Sequence, residues 1–472
     1  MRTRSSGTLQ FPRTMNQRLG SLLDAARLLQ RRELSPVELT RACLERIASG
    51  NDASRAFITV MSEQALADAQ RAEKEIGKGR YRGPLHGIPV SVKDLMDVAG
   101  TPTTSGSSVP ARKPAHDAPV VANLKRAGAI IVGKTNLHEF AFGTTTDETA
   151  FGAVRNPHDR SRSAGGSSAG AAVALVEGMC YGSVGTDTGG SIRIPAAACG
   201  VTGLKPTYGE ISAEDVVPLS TTCDHVGPLA LTVADAAMLY YAMTDGDASA
   251  DLVPETAEGP LWLGVPVPYF LDKLDEGTRT AFARSRALLA DSGHSIADLS
   301  IAHAERTADV YLHIVLPESA WYHTPLLEKY ADKYSPGVRL RLEMGRYVLA
   351  EDYVRAMHAR TVLRRAVDKA LEGLDALLLP ALAIGAPPLG AALVAIDGTS
   401  EPVRAMMLRL TQLFNITGHP AIAVPCGTGA DGLPRAIQLV GHRGGTERLL
   451  AVAAAVERQI IGGAGSVGGG AG

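Results

Sequence analysis

GGSSAGAAVALVEGMCYGSVGTDTGGSIR, residues 165–193, reads in turn as loop, helix, strand and loop. The paired glycines and serines at its start interrupt any regular element. From about Ser168 to Val176 small and apolar residues follow without a break, which suits a buried helix. A short apolar run then spans Tyr181 to Val184 and ends in a second glycine-rich loop, Asp187-Thr188-Gly189-Gly190-Ser191. A helix joined to a buried strand by a few residues is a fragment of an α/β chain.

The same alternation extends in both directions. Upstream lie a strand at Ile88 to Val92, a helix from about Asp117 to Arg126, a strand at Ala129 to Val132 and a helix after Thr135. Downstream come strand-like runs at Val201 to Leu204, Asp375 to Leu379, Ala421 to Val424 and Ala436 to Val440. This pattern predicts an α/β fold with a parallel or mixed sheet covered by helices. Residues from about Gly277 to Leu374 read as mostly helical, an insertion within one sheet domain. Two N-terminal helices are expected, one from Ser21 through Leu29 and one beginning at Ser35-Pro36-Val37-Glu38. In the second, Ser35 caps, Pro36 takes the first helical position and Glu38 closes a capping box. The expected organisation is a flexible segment over 1–20, one domain over 21–461 with the insertion at about 277–374, and a glycine-rich flexible tail over 462–472. That tail contains G-x-G-x-x-G, but neither strand nor helix frames it as a nucleotide site.

The 472 residues are 45% hydrophobic and 20% charged, which fits an ordered globular chain. Net charge is −2 and the basic residues are scattered, so neither a nucleic acid nor an anionic membrane is an expected partner. A small uncharged substrate fits better. The five cysteines, Cys43, Cys180, Cys199, Cys223 and Cys426, are odd in number and far apart, arguing for reduced thiols in a cytoplasmic protein. No run approaches a membrane span, and no His/Asp/Glu cluster has metal-ligand spacing, so neither metal nor cofactor is expected.

Three motifs compete for the chemistry. Gly128-Ala129-Ile130-Ile131-Val132-Gly133-Lys134-Thr135 matches a phosphate-binding loop and would suggest an NTPase, but its middle residues are a β-branched strand, where a phosphate cradle needs a loop. Gly166-Ser167-Ser168-Ala169-Gly170 matches G-x-S-x-G, with Ser168 as nucleophile. Such an elbow must follow a buried strand, and here a polar loop, Asp159 to Gly165, precedes it. The third reading joins Gly165-Gly166-Ser167-Ser168, Asp187 to Arg193, and Lys93 at the end of Gly87-Ile88-Pro89-Val90-Ser91-Val92-Lys93 into one site. All three stand where loops meet predicted elements, the usual place for chemistry in α/β folds.

With Ser167 and Ser191 24 positions apart, Asn156-Pro157, Cys199 to Thr207, Gly227-Pro228 and Gly418-His419-Pro420-Ala421, this set resembles the amidase signature family of serine hydrolases, over most of the chain. The resemblance implies a large mixed β-sheet sandwiched by α-helices and hydrolysis of small amides through an acyl-enzyme. Carried over by motif, Ser191 is the nucleophile, Ser167, after a cis peptide bond, relays protons, and Lys93 is the base. The N–H groups of Thr188, Gly189, Gly190 and Ser191 form the oxyanion hole, while Ser168, Asp187 and Arg193 hold the loop and lysine in place. Lys93 must be neutral to accept a proton, so its pKa is expected to lie several units low.

Aryl esters and carbamates (urethanes) share the same attack geometry and stay open as substrates. A glutamine-dependent amidotransferase A-type subunit is the alternative within the family. The acidic residue that class uses for the glutamine amine would fall near Met406-Met407-Leu408, which is apolar, and the arginine-rich segment common after Tyr208 is missing. Phe142, Met406, Met407, Leu408 and Leu410 are the expected pocket residues. A homodimer is the oligomer such families favour, though no interface signature stands out.

Overall fold

A computed structural model describes residues 20–244 and 256–466. Most of the N-terminal segment expected to be flexible lies outside these residues, as does the chain beyond Ser466. The C-terminal helix spans Thr446–Ser466.

Thirteen strands are described. β1 (Phe57–Val60), β2 (Pro89–Lys93), β3 (Ile130–Thr135), β4 (Gly182–Asp187), β5 (Thr202–Lys205) and β6 (His225–Ala230) come from the first half, with β7 (Trp262–Pro266) and β8 (Ser295–Leu299) following. β9 (Ala376–Pro380), β10 (Leu393–Ile396), β11 (Thr399–Pro402), β12 (Ala421–Thr428) and β13 (Pro434–Val440) complete the set. Eleven of them form one sheet, in the order β1-β3-β2-β4-β6-β5-β12-β13-β9-β7-β8; β10 and β11 form a separate hairpin. β3, β2 and β4 run parallel, as do β9, β7 and β8, and antiparallel pairs join the rest. The fold is therefore a large mixed sheet flanked by helices, and strands on both sides of the helical stretch belong to it.

Local sequence explains the helices. In Leu22–Gln30 the buried positions Leu22, Ala25, Ala26 and Leu29 recur at helical spacing, and Ser21 and Asp24 form a reciprocal capping box. Ser35 and Glu38 do the same for Pro36–Ser54. Ala169–Val176 is buried at every position, which its unbroken small and apolar sequence permits.

Two expectations need correction. No α-helix follows Thr135: the chain makes only a single 3₁₀ turn at Glu139–Ala141. Asn136 donates to the carbonyls of Arg55 and Gly152, and Phe140 and Ala141 adopt φ of 49° and 59°, so tertiary bonds replace the helical ladder. The stretch from Gly277 to Leu374 is mostly helical, yet it contains β8, which pairs in parallel with β7. Among the described residues no helix is long and apolar enough to cross a membrane.

Candidate active site

β2 and β4 are parallel neighbours, with Val92 opposite Val184, so Lys93 and Asp187 leave the sheet at the same edge. Lys93 has no exposed surface. Its Nζ lies 2.7 Å from Ser167 Oγ and 2.7 Å from Thr186 Oγ1. Burial pushes its pKa from near 10.5 down to about 7, against the pull of the Asp187 and Asp224 charges. A lysine so placed is partly neutral at neutral pH and can act as a base.

Ser167 follows a cis Gly166–Ser167 peptide bond at the end of the loop that opens the helix Ala169–Val176. Ser168, next to it, is fully buried; its Oγ donates to the Thr186 carbonyl at 3.2 Å, and the Ser191 carbonyl accepts from its N–H at 3.2 Å. It therefore ties the two serine loops together and does not stand as an exposed nucleophile on a strand-to-helix elbow.

After β4 the chain turns through Thr188, Gly189 and Gly190 to Ser191, which is 5% exposed. Gly190 has φ +143°, and a Cβ there would run into Thr411 Oγ1 and the Ile194 side chain. A Cβ on Gly189 would come within 2.5 Å of Tyr311 Oη and 3.0 Å of Leu408 Cδ2. Among the described residues, the N–H groups of Thr188, Gly189, Gly190 and Ser191 have no acceptor.

A buried ionic cluster holds this turn. Asp187 accepts from the N–H of Ile192 at 3.1 Å and from Arg193 Nε at 3.0 Å and Nη2 at 2.9 Å. Burial alone would raise its carboxyl, but the Arg193 guanidinium reverses this and holds it well below the usual carboxylate range. Arg193, itself fully buried, also donates to the Thr411 carbonyl, to Gln438 Oε1 at 2.6 Å and to Asn415 Oδ1 at 2.7 Å. Asn415 Nδ2 reaches the Asp187 carbonyl and carboxylate, each at 2.8 Å. Thr188 Oγ1 donates to Asp224 at 2.5 Å.

The structure thus brings together Lys93, Ser167, Ser168, Asp187, Thr188, Gly189, Gly190, Ser191 and Arg193. Sequence reasoning missed Thr186, Asp224, Tyr311, Thr411, Asn415 and Gln438. Of these, Thr186 lies in the stretch 165–193 and Gln438 in the run Ala436 to Val440, both already singled out, and strand alternation could have pointed to them. All five expected pocket residues, Phe142, Met406, Met407, Leu408 and Leu410, are buried; Leu408 meets the turn, and the ring of Phe142 lies beneath two arginines. A cavity of about 190 Å³ reaches Thr186, Thr188 and Asp224; its other walls include Leu95, Ala141 and Val217. Lys134 of the phosphate-loop match is fully buried in β3, 2.6 Å from Asp94 Oδ1, and donates to Pro102 O and Thr103 Oγ1. Its N–H and ammonium groups are therefore committed to the sheet and to Asp94, with none left to cradle a phosphate.

This architecture defines an enzyme acting on amide C–N bonds, and the comparisons with known proteins agree. The model of the family described as Amidase matches residues 38–450. An amidase from Pseudomonas putida is 38% identical over 426 residues, covering 88% of this chain and 90% of that protein. The A-type subunit of glutamyl-tRNA(Gln) amidotransferase from Chloroflexus aggregans is 33% identical, covering 90% and 93%. A solved amidase structure superimposes with a TM-score of 0.88 at 38% identity, covering 93% of this chain and all of that one. The chain belongs to the amidase family.

Proposed function

We propose that this protein hydrolyses the C–N bond of small amides through Ser191, Ser167 and Lys93. The observation that carries this reading is the buried Lys93 Nζ, 2.7 Å from Ser167 Oγ, beside a turn with four unengaged N–H groups. Neutral Lys93 accepts the proton of Ser167 as Ser167 takes that of Ser191, and the Ser191 oxygen adds to the amide carbonyl. The oxyanion is held by the N–H groups of Thr188 to Ser191. The proton returns through Ser167 to the departing nitrogen, the C–N bond breaks, and an acyl-Ser191 ester forms. Water then enters by the same relay and releases the acid. Asp187, Arg193 and Ser168 position the turn and touch no reacting atom.

Esters and carbamates would pass through the same geometry, so the order of preference is an experimental matter. Turnover of a matched anilide, primary amide, aryl ester and aryl carbamate should be followed for the wild type, Ser191→Ala and Lys93→Ala. Both variants are expected to lose about three orders of magnitude or more, the scale seen when an acting unit is broken. Full activity in Ser191→Ala would overturn the assignment. The name of the Chloroflexus relative supplies a second reading, ammonia release from glutamine. Production of glutamate from glutamine, measured beside the series, decides between the two.

A further inference from the structure

Arg404 lies in the short helix Val403–Leu408, partly buried and without a carboxylate partner among the described residues. Its only hydrogen bond among the described residues is a long one, 3.5 Å from Nη1 to the Phe142 carbonyl. The guanidinium carbon stands 5.6 Å from the Phe142 ring centroid, and that of Arg341 lies 5.3 Å from the same ring. The acid whose charge reaches both arginines is Glu148, and it is already occupied. It accepts from Arg341 Nη2 at 2.9 Å and from the N–H of Gly337 at 3.0 Å, and it meets His138 Nε2 at 3.2 Å. His138 is buried, which favours its neutral form. Two guanidiniums therefore share one carboxylate, and a positive charge is left over where partial burial makes an unpaired charge costly.

The surplus charge stands near the site: Leu408, one helical turn on from Arg404, meets the turn at Gly189, and Phe142, whose carbonyl Arg404 reaches, follows Ala141 of the cavity wall. Tyr311 Oη lies against the oxyanion turn, where it would touch a Cβ on Gly189, and among the described residues it has no hydrogen-bond partner. A phenol against the turn and a guanidinium held by one long hydrogen bond, a helical turn from Leu408, form a donor set for a planar anion.

We infer that the substrate carries a carboxylate, bound by Arg404 with Tyr311 next to the oxyanion turn. This rests on the hydrolase reading above and deepens it. It also departs from the uncharged substrate that the sequence alone suggested. There, Arg404 passed unnoticed between apolar neighbours.

Two matched pairs test it. Succinanilic acid against butyranilide places the charge on the acyl side, and 4-acetamidobenzoate against acetanilide places it on the amine side. In at least one pair the wild type should favour the acid in kcat/KM by about tenfold or more, and Arg404→Gln should lower that ratio by about tenfold. Arg404→Lys, which keeps the charge but not the fork, should restore part of it. Melting temperatures establish that the variants fold. A ratio unchanged in folded Arg404→Gln, or a preference for the neutral member of both pairs, overturns the inference. If no amide is cleaved in a Ser191-dependent way, the hydrolase reading fails by itself, and calorimetry with succinate decides the anion site. Binding to the wild type that weakens about tenfold in Arg404→Gln sustains the site, while equal binding or none overturns it.

Discussion

Lys93 is held in two opposing ways: burial drives it toward the neutral amine, while Asp187, Asp224 and its two hydroxyl neighbours favour the ammonium. With a folded pKa of about 7, Lys93 is mostly protonated below that pH, and under the proposed mechanism it is then idle. The rate kcat/KM should rise about tenfold per unit below neutrality and level off above about pH 7, a profile that stopped-flow or steady-state assays can trace. Thr186→Val removes an oxygen that accepts from the ammonium, so the acid limb should move to lower pH. A limb that stays in place would remove Thr186 from the tuning of Lys93.

The same shift has a stability consequence. The folded pKa lies below the ordinary value near 10.5, so the charged form is penalised only in the folded state. That penalty is fully present below about pH 7 and fades as pH rises toward 10.5. Replacing the lysine with apolar Lys93→Met should therefore raise the melting temperature more at pH 6 than at pH 10, by several degrees if about 2 kcal/mol is recovered. Among single residues, the meeting of Lys93 with Ser167 was legible because a motif carried each of them. Asn415, 228 positions from Asp187, and Gln438, 245 positions from Arg193, were not, because only the sheet and its covering helices bring them there.

Among the elements, the turn after β4 and the helix Arg193–Cys199 behave as one unit, because the Asp187 carboxylate caps the helix and grips its first side chain. Arg193→Met leaves Asp187 buried without its cation and should cost about 3–5 kcal/mol in denaturant unfolding. A loss below about 1 kcal/mol would mean the cluster is held mainly by Asn415 and the backbone. Elements with local signals were readable: the capping boxes at Ser21 and Ser35 mark two helix starts without reference to the rest of the chain. The segment after Thr135 misled because its helical spacing is overridden by Asn136 and by ring packing of Phe140 against His323 and Tyr334. β8 was hidden for the opposite reason. Its sequence, Ser-Ile-Ala-Asp-Leu, is half polar, and it is a strand only because β7 offers it an edge.

Across the whole molecule the sheet passes from a parallel group, β3, β2 and β4, through antiparallel neighbours to a second parallel group at β9, β7 and β8. The site stands where that first parallel group ends, with β4 meeting antiparallel β6 and the chain leaving the strand beside Lys93. Strands β4, β6, β12 and β13 lie near the middle of the sheet and are almost wholly buried, whereas β8 is an edge strand exposed along most of its length. The hairpin β10–β11 lies outside the sheet and is also largely exposed. Exchange of a buried strand requires opening of the packed core, while an exposed edge opens locally at little cost. Hydrogen exchange read by mass spectrometry should therefore show peptides of β4 and β13 as the slowest, and those of β8 and β10–β11 as faster by several orders of magnitude. If β4 exchanged as fast as β8, the turn bearing Ser191 would open without global unfolding. The four N–H donors would then be assembled by substrate rather than held ready for it, and the low pKa of Lys93 would have to arise on closure.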